Sequence, residues 1–212
     1  MSTLKWQTVE YLASLLLRTS YAVLMHVSDA LRLLRADLER QFAMEGALVK
    51  KASLAAMVGR AFHPRFLPLL LCRFSRALFL MRVPLLPSLA SYLNLALFGI
   101  QITPRCEIGP GLFLPHTVGT VIGSWKIGAN VTIFQQVTLG ARTVDIKFTT
   151  TLLPEIADNV TIGTGAKVLG GIRLGNNVTV GANAVVLQSV EPGETVVGIP
   201  AHSICRKQAE LV

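Results

Sequence analysis

Aliphatic residues recur about every six positions through residues 102–191 of this 212-residue chain. A period of six fits neither the roughly 3.6 residues per turn of an α-helix nor the alternation of a hairpin strand. The repeated positions are Ile102, Ile108, Leu114, Val121, Ile127, Ile133, Leu139, Ile156, Ile162, Val168, Leu174, Val180 and Val186. Glycine or alanine often follows the repeated residue directly. This pattern is typical of the hexapeptide repeats of a parallel β-helix, in which stacked coils supply one another's core.

The repeat is interrupted beside one histidine and again by a longer segment. The spacing lengthens to seven residues between Leu114 and Val121, and we expect the extra residue to bulge the corner and turn the imidazole of His116 out of the core. Residues 140–155 are expected to leave the coils as a loop, and long loops on rigid scaffolds often carry function. Residues 192–212 depart from the hexads and are expected to form a C-terminal cap and tail.

The N-terminal part of the chain follows a helical period instead. Leucines three and four residues apart, such as Leu31, Leu34 and Leu38, mark one face of a helix. Breaks are expected at Pro64, Pro84 and Pro87, whereas Pro68 suits the first turn of a helix. We therefore expect three or four helices within residues 1–100 and a β-helix over residues 101–191, which makes the fold class α+β.

Basic residues are concentrated in the N-terminal half. The formal net charge is +8, and residues 1–101 carry +7 of it, with 12 Lys and Arg against 5 Asp and Glu. Residues 46–106 hold eight basic residues and no acidic residue, and 51% of the whole chain is apolar. Because no nucleic-acid motif is present, this asymmetry favours an anionic membrane surface over a nucleic acid as partner. A basic solvated face would explain the same charges, and that alternative stays open.

The longest run without charge covers residues 83–104 and has nearly the length of a membrane span. Prolines and Asn94 interrupt it, so we expect a buried or interfacial helix instead. The N-terminus does not resemble a signal peptide, because Glu10 and Arg18 interrupt its apolar residues. These features predict a cytoplasmic protein with peripheral contact at the inner face of the cytoplasmic membrane.

Cysteines and histidines are too sparse to indicate a disulfide framework or a metal site. Cys72, Cys106 and Cys205 lie far apart, which fits a reducing compartment. His116 alone among the four histidines lies within the hexads. A zinc enzyme that binds its metal through three histidines is therefore not expected, and the sequence predicts no metal.

Four segments point to a known family. They are LPHTVGTVIG, IFQQVTLG, TIGTGAKVLGGIRLG and VVGIPA, which begin at residues 114, 133, 161 and 196. Over about residues 62–207 the chain resembles the serine acetyltransferase branch of the hexapeptide acyltransferases, some of whose relatives acetylate polysaccharide sugars. The resemblance implies a left-handed parallel β-helix, a homotrimer with a dimer of trimers left open, and transfer of acetyl groups from acetyl-CoA to hydroxyls.

The same resemblance implies the reacting groups. His116 lies on the family's catalytic histidine, and an imidazole with a pKa near ~6.5 suits a general base that takes a proton from an attacking alcohol. A backbone N–H, for which Gly140 is a candidate, would stabilise the tetrahedral oxyanion. The family places an aspartate fifteen residues before the histidine, and Gln101 occupies that position here. Gln101 can hold the tautomer of the imidazole but cannot stabilise the imidazolium by charge.

The acetyl-CoA site is carried over from the resemblance by position. Small residues beside the pantetheine groove and a closing segment with two basic residues are expected to bind the donor. They are Thr164, Gly165, Ala166, Gly181, Ala182, Gly198, Pro200, Ala201, Arg206 and Lys207. Each glycine is equally explained by the geometry of the coil.

Three positions depart from the family pattern and bear on the acceptor. Gln101 and Pro115 stand where serine acetyltransferases have aspartates, and Leu153 stands where a second histidine closes the loop. Because polar groups that hold a small zwitterion are missing, we predict a sugar hydroxyl in polysaccharide biosynthesis as acceptor. Serine O-acetylation in cysteine biosynthesis and a catalytically inactive trimeric scaffold are the two alternatives.

Overall fold

The computed structural model describes the backbone of residues 2–47 and 51–204 and the side chains from residue 21 onwards. Four α-helices come first: α1 (Ser2–Met44), α2 (Leu54–Arg60), α3 (Leu67–Leu80) and α4 (Leu86–Phe98). Pro68 and Pro87 lie in the first turns of α3 and α4, where a missing N–H costs nothing. Gly99 ends α4 at a positive φ of 63°, a backbone conformation that favours glycine.

Fourteen short strands follow the helices in the described part of the chain. They are β1 (Ile100–Ile102), β2 (Glu107–Ile108), β3 (Thr120–Ile122), β4 (Lys126–Ile127), β5 (Thr132–Ile133), β6 (Thr138–Gly140), β7 (Glu155–Ile156), β8 (Thr161–Ile162), β9 (Lys167–Leu169), β10 (Arg173–Leu174), β11 (Thr179–Val180), β12 (Val185–Val186), β13 (Thr195–Val197) and β14 (His202–Ile204). A 3₁₀ helix, Thr150–Leu152, lies between β6 and β7.

The strands form three parallel sheets that are the faces of a triangular β-helix. The first sheet has the order β1-β3-β6-β9-β12, and the second has the order β2-β4-β7-β10. The third contains β5, β8, β11 and β13, and β14 joins its edge antiparallel to β13. From β1 to β13, successive strands along the chain therefore belong to different sheets, and each pairs with the strand one coil away. β13 continues the third sheet beyond residue 191, inside the segment expected to be a cap.

The repeated aliphatic side chains are stacked inside the β-helix, with one exception. Ile102, Ile122 and Leu139 lie in register in neighbouring strands of the first sheet, and all three are buried. The prediction that Val121 holds this inward position is wrong, because Val121 is 37% exposed. Neighbouring side chains in a strand point to opposite faces, so the inward place of Ile122 turns Val121 outward. The step from Leu114 to the next inward residue is therefore eight residues.

The helices are joined to the first coil by a buried ion pair that the sequence analysis did not predict. Arg73 on α3 donates from Nε and Nη2 to the two carboxylate oxygens of Asp37 on α1, both at 2.9 Å. The same guanidinium donates to the backbone oxygens of Ile108 and Gly109 at 2.6 Å. The N–H of Leu112 donates to Asp37 Oδ1 at 2.9 Å. Both side chains are buried, so this cluster connects α1, α3 and the β-helix away from water.

None of the described helices combines the length and the apolar character needed to cross a membrane. The charge-free run of residues 83–104 forms α4 and β1 and the turns beside them. Helix α4 packs against α3 and against β1, at the N-terminal end of the β-helix.

Candidate functional site

One edge of the triangular β-helix collects most of the predicted site residues. In four of the coils this edge lies where the chain passes from the third sheet to the first, and we call it the His116 edge. Its four stacked corners are residues 115–119, 134–136, 163–166 and 181–184, and the closing segment of residues 198–201 continues the stack beside β12. Backbone hydrogen bonds join successive corners: Gln136 N–H to Val118 C=O (N···O 3.1 Å), Gly165 N–H to Gln135 C=O (3.0 Å) and Asn183 N–H to Thr164 C=O (2.8 Å).

The stacking sets the length of this edge. Coils of a β-helix are separated by the spacing of neighbouring strands, which is about 4.8 Å. Four such steps lead from the corner of His116 to the corner of Gly198, which is about 19 Å. The His116 edge is therefore an extended strip with an imidazole at one end and the closing segment at the other.

His116 is exposed, as the interrupted repeat predicted for a side chain turned out of the core. The step from Leu114 to the inward Ile122 is eight residues, two more than the corresponding steps of six in the later coils. Thr117 Oγ1 donates to the backbone oxygen of Phe98 at 2.8 Å, and the N–H of Gly119 donates to that of Gly99 at 2.9 Å. The end of α4 thus holds the enlarged corner in place and leaves the imidazole facing outward.

The other two residues predicted to be catalytic lie elsewhere on the first sheet. Gln101 is exposed in the middle of β1, where it pairs in register with Val121. Gly140 is the last residue of β6, so it lies at the opposite side of the first sheet from the His116 edge. Within one chain, Gly140 therefore does not lie beside His116. The space next to the Cα of Gly140 is open, with no atom of the described chain within 4 Å of an added Cβ.

Some of the residues predicted to bind acetyl-CoA lie on the His116 edge, and one lies in the core of the β-helix. Thr164, Gly165 and Gly181 are half-buried on the His116 edge, and Ala182 is exposed there. Ala166 instead points into the core and is fully buried, because it occupies the inward position four residues after Ile162. Its side chain is therefore not available to a ligand in the groove.

Coil geometry alone explains one of these glycines. Gly165 has a positive φ of 73°, and a Cβ there would overlap the Oδ1 atom of Asn183 on the next coil. Any larger residue would strain the backbone and push Asn183 away. Gly165 is thus required by the fold, whether or not a ligand lies beside it.

The closing segment folds back onto the last coil at the far end of the edge. Gly198 and Pro200 are exposed and Ala201 is half-buried. The N–H of Val185 donates to the carbonyl of Gly198 at 3.0 Å, and the N–H of Ala201 donates to the carbonyl of Val185 at 2.8 Å. The predicted phosphate-binding residues Arg206 and Lys207 lie outside the described residues.

The loop of residues 140–155 leaves the β-helix at the edge between the first and second sheets. Leu153, which occupies the place of the family's second histidine, is buried and lines a cavity of about 270 Å³ with Trp125. Two apolar side chains near the start of the loop, Val144 and Ile146, are almost fully exposed, at 90% and 89%. The loop therefore exposes two apolar side chains between the exposed Arg142 and Lys147, and Leu153 occupies the position at which the family pattern has a histidine.

Two residues near the site were not singled out from the sequence. Gln135 lies on the His116 edge, and its Oε1 atom is buried without a hydrogen-bond partner in the described part of the chain. Arg142 begins the loop two residues after Gly140, and its Nε donates to the backbone oxygen of Leu169 at 3.3 Å. Arg142 could have been noticed from the sequence as the first basic residue of the expected loop. Nothing in the repeat distinguishes Gln135.

Neither described cysteine is suited to be a nucleophile. Burial raises the pKa of the Cys72 thiol to about 11, and burial also raises the pKa of the Cys106 thiol. Both thiols are therefore protonated at neutral pH, and the thiolate is the reactive form. Among the described residues no group of three or more His, Cys, Asp or Glu side chains is placed to hold a metal.

Comparison with known protein sequences gives consistent relatives. A family model described as bacterial transferase hexapeptide (six repeats) matches residues 154–188. The chain is 42% identical over 145 residues to a serine acetyltransferase of Synechococcus elongatus, covering 68% of this chain and 58% of the relative. It is 52% identical over 107 residues to a serine acetyltransferase of Staphylococcus aureus, covering 50% and 49%. The chain thus spans about half the length of the curated relatives it matches.

Solved structures of similar fold support the same assignment. Serine acetyltransferase of Neisseria gonorrhoeae matches with a TM-score of 0.74 and 28% identity, over 89% of this chain and 70% of that chain. Serine acetyltransferase 1 of Entamoeba histolytica, solved in complex with L-cysteine, matches with a TM-score of 0.69 and 30% identity, over 84% and 67%. The predicted α+β class with a left-handed parallel β-helix is confirmed. The chain belongs to the hexapeptide-repeat acyltransferases, in their serine acetyltransferase-like branch.

Proposed function

We propose that this protein is an O-acetyltransferase that moves an acetyl group from acetyl-CoA to a hydroxyl, with His116 as general base. The observation that carries the proposal is the exposed imidazole of His116, held outward at the end of a strip of small residues. The serine acetyltransferase relatives support the same reaction class.

Acetyl transfer to a hydroxyl needs one side chain that accepts and returns a proton, and it needs no covalent enzyme intermediate. A ring nitrogen of His116 accepts the proton of the acceptor hydroxyl as its oxygen attacks the thioester carbonyl. The tetrahedral intermediate then expels the CoA thiolate, which takes the proton back from the imidazolium and leaves as free thiol. Backbone N–H groups stabilise the oxyanion in between.

The separation of His116 from Gly140 favours an assembly in which two chains build each site. The two residues lie on different edges of one chain, so a neighbouring chain is needed to bring an open Gly140 and the adjacent Arg142 toward His116. A homotrimer with threefold symmetry places one edge of each β-helix against a different edge of its neighbour. We therefore propose a homotrimer with three sites between chains.

The donor is proposed to lie along the His116 edge. Its thioester would be at His116, its pantetheine arm beside Thr164, Gly165 and Ala182, and its nucleotide near the closing segment. An extended pantetheine arm can follow a strip of this length. Arg206 and Lys207 would add positive charge for the phosphates.

Serine is the acceptor that the comparisons favour. The relatives and structures named above are serine acetyltransferases, and they do not support the sugar acceptor that the sequence analysis predicted. Acetylation of the serine hydroxyl is thus the leading proposal.

One structural observation keeps a second acceptor as a candidate. Leu153 is buried, Pro115 is half-buried beside His116, and the apolar side chains of Val144 and Ile146 are exposed on the loop. None of these side chains can pair with the ammonium or carboxylate of serine. A larger and less charged alcohol, such as a sugar hydroxyl on a lipid-linked intermediate, would fit this surface.

The test is release of free thiol from acetyl-CoA by the purified protein with serine, simple sugars, lipid-linked sugars or no acceptor. We expect acceptor-dependent turnover that falls by roughly 10²–10⁴-fold in His116→Ala, because the general base is lost. His26→Ala is the matched control and should keep full activity, since His26 lies on α1 near Glu107 and Ile108 of the second sheet.

The acceptor that turns over fastest identifies the substrate class. Calorimetry with CoA tests the donor site separately from the chemistry. If CoA does not bind and no acceptor is consumed, the proposal is wrong and the inactive scaffold is favoured.

A further inference from the structure

Helix α4 is packed with its polar side inward. Ser75 Oγ on α3 donates to the carbonyl of Pro87 at 2.8 Å and lies 3.0 Å from Ser91 Oγ. Asn94 is buried and donates from Nδ2 to the carbonyl of Pro68 at 2.9 Å. The contact between α3 and α4 is therefore built on small and polar groups, and the large apolar side chains of α4 are left on its other side.

The outer side of this helix is a continuous apolar surface, which we call the α4 face. It consists of Leu85, Leu86, Leu89, Tyr92, Leu93 and Leu97, all exposed, with Leu85 at 84% and Tyr92 at 65%. At 100° per residue, the five of these positions that lie within α4 fall within an arc of about 140°, and Leu85 directly precedes the helix. Contiguous apolar surfaces of this kind mark a contact with another molecule or with lipid.

The charge next to the α4 face favours an anionic partner. Helix α4 itself carries no charged residue, and residues 46–106 hold eight basic residues and no acidic one. Three of the eight, Arg60, Arg65 and Arg73, pair with Glu45 or Asp37. Arg82 is exposed in the turn that leads into the face. A bilayer with anionic headgroups offers apolar contacts for the leucines and negative charge for Arg82 at once.

We propose that the α4 face docks on an anionic membrane surface. The helix has 13 residues and is about 20 Å long, which is too short to cross a hydrocarbon core of about 30 Å. It would lie in the plane of the interface with its leucines in the acyl boundary, Tyr92 among the headgroups and Arg82 on lipid phosphates.

The position of the helix adds avidity if the protein is a trimer. Helix α4 packs on β1 at the N-terminal end of the β-helix. A threefold axis parallel to the β-helices puts all three such ends on the same side. Three weak contacts with one surface then act as a single stronger one.

Vesicle sedimentation tests the proposal with the full-length protein. Vesicles of phosphatidylcholine with phosphatidylglycerol should bind the wild type, and vesicles of phosphatidylcholine alone should bind it less. Binding to the anionic vesicles should weaken as salt is raised.

The double variant Leu89→Glu, Leu93→Glu should lose binding by about tenfold or more, because it removes apolar burial and adds repulsion. Thr179→Glu with Gln188→Glu is the matched control, since it adds the same charge at exposed positions of the last coils, and it should bind like the wild type.

Three results would overturn the proposal. They are failure of the wild type to bind anionic vesicles, equal binding by the α4 double variant, and a smaller assembly of that variant in light scattering, which would make the α4 face an interface between copies. Thiol release with a water-soluble acceptor is measured in parallel and should not change, so membrane docking and acetyl transfer can fail independently.

Discussion

At the scale of single residues, the fold decides whether a reactive side chain is exposed or buried. The imidazole of His116 is placed outside the core by two extra residues in its repeat, and hydrogen bonds from Thr117 and Gly119 keep it there. The fold has the opposite effect on Cys72 and Cys106. Burial raises the pKa of both thiols, so they stay protonated and unreactive.

The raised pKa of Cys72 predicts a pH dependence of stability. Burial moves the pKa from the ordinary 9.0 to about 11, so above pH 9 the unfolded chain loses this proton before the folded chain does. The contribution of the neutral thiol is complete below pH 9 and is lost as the pH rises to about 11, and two pKa units correspond to about 3 kcal/mol. Urea unfolding from pH 8 to 11 measures this decline.

The control for this prediction is Cys72→Ala. The variant loses packing at every pH, but its free energy of unfolding should decline less steeply than that of the wild type above pH 9. Equal slopes for the two proteins would show that Cys72 does not titrate on unfolding in this range.

At the scale of elements, the most consequential contact is the one between helices and β-helix. Burial raises the pKa of Asp37, while the Arg73 guanidinium and the N–H of Leu112 oppose this and lower it. The guanidinium also satisfies two carbonyls of the first coil. Removing one partner therefore leaves a buried charge and unpaired backbone groups.

Arg73→Met should destabilise the protein by about 3–5 kcal/mol, because Asp37 is left buried without its cation. The double variant Asp37→Leu, Arg73→Met should cost less than the sum of the two single variants, since no lone charge remains. Urea unfolding at one fixed protomer concentration gives the comparison.

Arg35→Met supplies the matched control on α1. Arg35 pairs with Glu39 at 3.3 Å on a partly exposed surface, and breaking such a pair should cost under about 1 kcal/mol. A similar loss for Arg35→Met and Arg73→Met would contradict the structural role assigned to the buried pair.

At the scale of the whole molecule, the arrangement of edges predicts that activity needs two chains. Gly140→Leu should fold normally, because the space beside Gly140 is open within the chain, but the added side chain should block a neighbour's site. Both Gly140→Leu and His116→Ala should therefore be inactive alone.

Co-expression of the two variants tests the shared site. A mixed trimer contains sites that combine His116 of one chain with Gly140 of the other, and random mixing makes about a quarter of all sites intact. Thiol release should return to about that fraction of wild-type activity. Complete absence of activity in purified mixed trimers would place both residues in a site built by one chain.

The sequence by itself determined the β-helix, the helical N-terminal part and the family. A period of six over thirteen hexads is compatible with few other folds. The repeat singles out His116 because its polar ring interrupts an aliphatic pattern. Only the tertiary structure decided that Ile122 rather than Val121 faces inward, because strand register depends on pairing with β1 and β6.

The remaining features depend on residues that are distant in sequence. Asp37 meets Arg73 across 36 positions, and Gly140 is separated from His116 by the width of a sheet. The polar inner side of α4 is visible only once α3 is packed against it. Periodicity describes which way a side chain points within its own element, whereas these contacts are set by how the elements pack, and that information is not local.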